Sequence, residues 1–323
     1  MTDRLLIEES AVNAAAPGAE ALPPAAPPPE APARSQWRDI WRQFRSHRGA
    51  MVALVMFVAI ILFVTVGPLV WTIEPTFVDI RARNQGFSAA HPLGTDQLGR
   101  DLLARLMAGG QVSLAVGLTA MAIALSLGSL IGISSGYFRR LDAPLMRLTE
   151  LFLALPLLPL LLLMVTLFRE PLGKAMGPAG GTFLLIVGAI GVTSWMQTAR
   201  IVRGEVLGLK EREFILAAKS IGTPAPRMIL RHVLPNVVSP IVVAATLGIA
   251  TAIITESALS FLGLGFPPDF PTWGRLLYDA VDQMQMYPWR VVLPGLLISL
   301  TVLSVNYIGD GLRDAMDPRI RKR

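Results

Sequence analysis

Six stretches of this chain are apolar for about twenty residues each, the length that crosses a hydrocarbon core. They begin near Ala50, Ser113, Ala143, Thr182, Val237 and Val291 and end near Trp71, Phe138, Phe168, Met196, Leu262 and Ile308. A backbone in lipid must satisfy its own polar groups, so runs of this kind fold as helices. The expected fold class is therefore all-α: a polytopic membrane protein with six transmembrane helices. Only 16% of the 323 residues are charged, against about a quarter in a soluble domain.

Several chemistries are excluded by what the spans lack. There is no cysteine, which removes disulfides, thiolate nucleophiles and thiolate-bound metals. His47, His91 and His232 are far apart and outside the apolar runs, which argues against a histidine metal centre or a histidine-dependent intramembrane hydrolase. No Gly-x-x-x-x-Gly-Lys-Ser/Thr phosphate loop occurs, and no ATP site of that kind is expected.

Basic residues fix an orientation. An even number of spans puts both termini on one side, and 21 of the 29 lysines and arginines fall in the tails, the loop after the second span and the stretch after the fourth. By the positive-inside rule those parts face the cytoplasm. The net charge of +6 thus reports topology and not nucleic-acid binding.

Residues 1–35 are rich in Ala, Pro and Glu, lack a signal-peptide pattern and read as a disordered cytoplasmic tail. Residues 36–49 place Trp37, Ile40, Trp41 and Phe44 on one helical face with arginines elsewhere, an amphipathic helix suited to the lipid interface. Residues 50–323 form the membrane domain. Ala120, Ala124, Gly128, Gly132 and Gly136 recur every four residues in the second span, a stripe that lets another helix approach closely. Pro156 and Pro159 predict a kink in the third span.

The polar stretch 204–235 reads as a water-side hairpin. Phe214, Ala217, Ala218 and Ile221 give its first helix, opening near Glu213, an apolar face. Gly222 ends that helix, Thr223 caps a second one with Pro224 at its first position, and Leu234-Pro235 ends the second. The small residues Ala217, Ala218 and Gly222 suit insertion into a groove on a soluble partner; a connector packed on its own membrane domain is the alternative.

Within the spans, Glu256 with Ser257 is a pathway or gate candidate, or else a carboxylate hydrogen-bonded to a neighbouring helix. Glu150 reads as a helix-end carboxylate pairing with Arg147. Thr193, Ser194 and Gln197 line a polar cavity or bond between helices. The outer segment 91–105 contacts a partner or packs over the outer mouth.

Leu216-Ala-Ala, three residues, Gly222, nine residues and His232-Val-Leu-Pro235 resemble the EAA loop of ABC importer permeases, whose pattern is Glu-Ala-Ala, three residues, Gly, nine residues, Ile-x-Leu-Pro. Leu216 replaces the glutamate and His232 the isoleucine, while the spacing is intact. Phe44-Arg-Ser-His-Arg-Gly-Ala50, His91-Pro-Leu-Gly-Thr-Asp-Gln-Leu-Gly-Arg-Asp101, Glu256-Ser-Ala-Leu-Ser-Phe-Leu-Gly-Leu-Gly265, Pro271-Thr-Trp-Gly274 and Gly309-Asp-Gly-Leu-Arg-Asp-Ala-Met-Asp-Pro318 resemble the dipeptide/oligopeptide branch, C-type subunit, over residues 37–323. The resemblance implies a type I importer permease in a bacterial cytoplasmic (inner) membrane, transporting without being an enzyme itself. Its implied partners are a second permease, two ATPases that hold ATP and Mg, and an extracytoplasmic binding protein; the chain itself would hold no cofactor. Peptides are the implied cargo, with a nickel chelate or other solute as alternative and a stand-alone carrier or channel as a further one. ATPase coupling would fall to Glu213, Leu216, Ala217, Ala218, Gly222, Thr223 and Pro235.

Overall fold

A computed structural model describes residues 36–316. The tail 1–35 and the last basic residues lie outside the described residues. Eleven α-helices carry nearly all of the described structure: α1 Gln36–Ser46, α2 Arg48–Thr65, α3 Gly67–Val70, α4 Leu102–Tyr137, α5 Arg139–Ala154, α6 Leu157–Lys210, α7 Glu213–Ser220, α8 Ala225–Met228, α9 Leu234–Phe261, α10 Trp273–Val281 and α11 Trp289–Met316. Among the described residues the only extended pairing is an isolated bridge between Thr95 and Asp101.

Five helical stretches are long and apolar enough to cross a membrane: 48–70, 102–137, 157–210, 225–261 and 289–316. The longest, α6, is two helices joined at Gly177, whose φ of 79° and ψ of 162° are not helical. The chain folds back there. A Cβ on Gly181 would sit 2.6 Å from the Leu172 carbonyl, and Leu161 on one arm packs with Ala189 on the other and with Leu259.

The expected kink at Pro156 is a full break. Leu155 is extended (ψ 135°) and Pro156 caps a new helix, because a proline disfavours helical dihedrals in the residue before it. The first half of the predicted third span is consequently a separate helix, α5, in which only Thr149 is buried. Glu150 on it is exposed, and no Arg147–Glu150 ion pair occurs among the described residues.

The small-residue stripe of α4 lies against the second arm of α6. Ala120, Ala124, Gly128, Gly132 and Gly136 are all buried. A Cβ on Gly128 would come within 2.6 Å of Thr198 Cβ, on Gly132 within 2.7 Å of the Ala199 carbonyl, and on Gly136 within 2.7 Å of Val206 Cβ. Helices in lipid have no hydrophobic drive toward each other, so this backbone-close packing supplies dispersion contacts in its place. Elsewhere, Phe44 of α1 is buried with Ala50 and Ala315, while Trp41 is half exposed and stacks on Phe44 at 5.9 Å. The amphipathic segment thereby seats one side on the start of α2 and the end of α11.

Candidate functional site

Two devices fix the end of α6 to its neighbours and a third fixes the stretch that follows it. The Arg203 guanidinium donates to both oxygens of Asp142 at the start of α5, at 2.5 and 2.8 Å. This forked pair holds the Asp142 carboxyl below its ordinary pKa, mainly through the hydrogen bond from Arg203. Lys210 Nζ donates to the Gly136 and Tyr137 carbonyls at 3.1 and 3.2 Å, satisfying the free C-terminal carbonyls of α4 where a cation is also favoured by the helix dipole. The Tyr137 ring then packs against Ile215 and Ala218 of α7 and Met228 of α8.

Helix α7 opens at Glu213, an acid in the first turn, and closes on Gly222 at φ 79°. Gly222 N bonds to the Lys219 carbonyl at 3.0 Å and Thr223 N to the Ala218 carbonyl at 3.2 Å, the paired bonds of a Schellman ending. Thr223 is thus spent closing α7 and does not cap α8; Pro224 stands at that cap and no side chain bonds there. Leu234-Pro235 does not end the second helix either. Residues 229–233 form a π turn whose bond runs from Leu234 N to the Ile229 carbonyl, and α9 continues directly. Widening the turn absorbs a proline that has no N–H and whose ring crowds the preceding turn.

The face of α7 turned inward is Ile215 and Ala218, not the row 214–217–218–221. Outward stand Phe214 at 44% exposure, Leu216 at 47% and Ile221 at 84%, with Ala217 and Gly222 beside them. Four of the predicted coupling residues, Glu213, Leu216, Ala217 and Gly222, are therefore exposed together on one short helix and its turn, while Ala218 is turned inward. Among the described residues, its chain neighbours aside, no atom lies within 4 Å of where a Gly222 Cβ would be.

Glu256 occupies a different place and is wholly buried. Ser113 Oγ of α4 donates to one carboxylate oxygen at 3.1 Å and Ser260 Oγ to the other at 2.7 Å. Behind them, Trp273 N bonds to Ser113 Oγ at 3.2 Å, and Thr272 Oγ1 lies 3.4 Å from Ser260 Oγ while accepting from Arg275 N at 3.1 Å. Two relays therefore run from the first turn of α10 through hydroxyls to one carboxylate. Each hydroxyl can accept from the α10 side and donate to Glu256, so the group joins α4, α9 and α10 as a positioning hub. Ser257 lies where α10 approaches α9, its Cα 2.5 Å from a Gly274 Cβ position. Gln197 is exposed and Ser194 half buried, and no hydrogen bond among the described residues joins either side chain to the hub.

The segment 91–105 carries a cluster that spacing did not reveal. Asp96 pairs with Arg100 at 2.7 Å and Arg105 at 3.3 Å, and Asp279 with Arg105 at 3.2 Å and Arg275 at 2.9 Å. Asp96 and Arg100 are visible as an i, i+4 pair, but Asp279 comes from α10, over 170 residues away. Asp101 caps α4 through Ala104 N at 2.8 Å and holds His91 Nδ1 at 2.8 Å and Trp71 Nε1 at 3.1 Å. Among the described residues no group of three or more acids and histidines could hold a metal ion.

Helices long and apolar enough to cross a membrane, broken and packed through glycines, with an anchored hairpin between two of them, are the architecture of a multi-pass membrane protein. Residues 108–322 match the family model for the binding-protein-dependent transport system inner membrane component, and residues 35–86 match that for the N-terminal TM domain of oligopeptide transport permease C. The chain belongs to this family of ABC transporter permeases, in its oligopeptide/dipeptide branch. It is 39% identical to an oligopeptide transport system permease protein, OppC, of Haemophilus influenzae, covering 89% of this chain and 90% of that one. It is 38% identical to a dipeptide transport system permease protein, DppC, of Alkalihalophilus pseudofirmus, covering 89% and 91%. A solved inward-facing MetNI methionine ABC transporter shares the fold at 18% identity, with a TM-score of 0.52 over 66% of this chain and 97% of that chain.

Proposed function

We propose that this chain is one of two permease subunits of an ATP-driven peptide importer, and that α7 docks on an ATPase whose closure moves the spans. The observation that carries the reading is the outward face of α7: Phe214, Leu216 and Ile221 stand in water on a hairpin fastened to α4 and α6. A helix of eight residues with an apolar outer face is unstable alone and suits a partner's groove. Tyr137, Lys210 and Arg203 give any push on α7 a rigid path into α4, α5 and α6. ATP and Mg belong on the ATPases, and the chain carries no chemistry of its own.

On this reading the chain crosses the membrane six times, α6 supplying two crossings that meet at Gly177. The reversal there and the Leu161–Ala189 packing support it. The basic-residue bias supports cytoplasmic termini and a cytoplasmic hairpin. A second permease completes the pathway and an extracytoplasmic binding protein delivers the cargo, with access alternating between the two sides. Di- and oligopeptides are the cargo named for the relatives above.

The test compares Ile221→Glu with Gly222→Trp in the reconstituted complex. Among the described residues neither position is packed into the fold, so the fold stays intact in the glutamate variant even where the left-handed turn resists tryptophan. Both are expected to lower uptake per ATP hydrolysed by at least about tenfold, the effect of burying one unpaired charge or clash in an interface. Unchanged coupling in both variants would remove the docking role.

A further inference from the structure

On the outer side, between the end of α3 and the start of α4, lies a cavity of about 350 Å³. Ile73 and Phe77 form apolar walls, Glu74 and Asp79 stand at it, and the bonded pair His91–Asp101 forms another side. Its shape is fixed by the backbone. Gly99, at φ 81°, lets the chain pass so close to the Asp79 carbonyl that no Cβ fits. Thr95 N bonds to the Gln85 carbonyl, Asn84 N to the Asp96 carbonyl and Leu102 N to the Gly94 carbonyl, all at 3.0–3.1 Å. This tied-down segment nevertheless shows Phe77, Ile80 and Phe87 to the outside at 60–67% exposure. Side chains of that size displayed on a rigid loop mark a preformed contact surface.

Charge separates this cavity from the cluster beside it. Asp96 and Asp279 are paired with arginines of the same chain, and Asp101 is already engaged by hydrogen bonds with His91 Nδ1, Trp71 Nε1 and Ala104 N. Glu74 accepts only from the Thr76 hydroxyl and Asp79 only from the Arg81 backbone N–H, and among the described residues neither has a cationic partner. Two unmatched carboxylates over apolar walls suit an alkyl stem that ends in a cation. Anionic lipid headgroups are disfavoured by the same charges. A permanent subunit seam would be more apolar at its core, whereas charged rims steer reversible encounters.

We infer that this cavity receives a lysine or arginine side chain of the extracytoplasmic substrate-binding protein, with Phe77, Ile80 and Phe87 as the surrounding contact. The inference rests on the importer reading above, which supplies the binding protein.

The test uses the whole complex in lipid nanodiscs, with this chain, its companion permease and the ATPases, titrated with the binding protein. The Glu74→Gln/Asp79→Asn double variant keeps both acceptors, so the loop folds as before while the charge is gone. Binding is expected to weaken by about tenfold at low ionic strength and to lose most of its salt dependence, as for rim charges that steer association. ATPase activity without the binding protein is expected to stay at its original level. Because the chain has no cysteine, Phe77→Cys carrying a photo-crosslinker reports the neighbour directly, and the binding protein is the expected adduct. Unchanged affinity and salt dependence would overturn the inference, as would an adduct with the companion permease or loss of that permease on purification. If no ATPase or binding protein associates with the wild-type chain at all, the importer reading itself has failed, and the two outcomes are distinct.

Discussion

Gly132→Ala against Gly188→Ala isolates the packing of α4 on α6. Both glycines sit inside long helices, so alanine relieves the same backbone entropy at each, by about 0.5–1 kcal/mol. At Gly188 nothing among the described residues lies within 4 Å of the new Cβ, and the gain is kept. At Gly132 the Cβ would be 2.7 Å from the Ala199 carbonyl oxygen and 2.8 Å from Val202 Cβ. The first of these is backbone, so no rotamer change relieves it and the helices must part. Their separation also weakens the contacts of Gly128 and Gly136, which need the same closeness. Overpacking of this kind costs about 1–3 kcal/mol. Unfolding in detergent, by heat or denaturant, should place the Gly132 variant below wild type and the Gly188 variant at or above it. Adding Val202→Ala to Gly132→Ala should recover only part of the loss, since it removes the Cγ1 contact at 3.0 Å and leaves the carbonyl in place. Equal midpoints for the two single variants would refute the close-approach argument.

Other consequences follow from the hub and the anchors. Glu256→Leu leaves the Ser113 and Ser260 hydroxyls without their acceptor, at about 1–3 kcal/mol for each buried group; Glu256→Gln keeps an acceptor for one of them and should lower the unfolding midpoint less than Glu256→Leu, whereas equal midpoints would contradict the hub. Asp142→Asn loses the forked pair with Arg203, and because both side chains are partly exposed the stability change should stay within about 1 kcal/mol. Its effect is expected in uptake per ATP instead. The Asp142 carboxyl is held below its unfolded pKa, so the pair's contribution is complete at neutral pH and lost as pH falls through the depressed value. The midpoint difference between wild type and Asp142→Asn should shrink over that acid range; a difference that grew on acidification would contradict the assignment.

What the sequence revealed depended on how local the cause was. The stripe from Ala120 to Gly136 was legible because a four-residue period is a property of one helix, and its contacts with Thr198, Ala199 and Val206 follow from that shape. Gly222 was legible because a left-handed turn asks for glycine. The passage through Leu234-Pro235 was not, since a proline ordinarily marks a helix end and only the widened turn over 229–233 lets the helix run on through it. Nor was the inward face of α7: Ile215 is selected by Tyr137, which lies at the far end of α4. Glu256 could be singled out as costly, yet its role depends on Ser113, 143 residues away. Asp142 and Arg203, 61 residues apart, carried no spacing signal.

On the proposed function, this chain moves cargo only when a docked ATPase drives it. Uptake of a labelled oligopeptide into liposomes, with its binding protein present, tests it most directly. Uptake should require ATP, the companion permease and the ATPases together, and should fall when Ile221 is replaced by glutamate. Accumulation by this chain alone, with no ATPase in the vesicle, would contradict it.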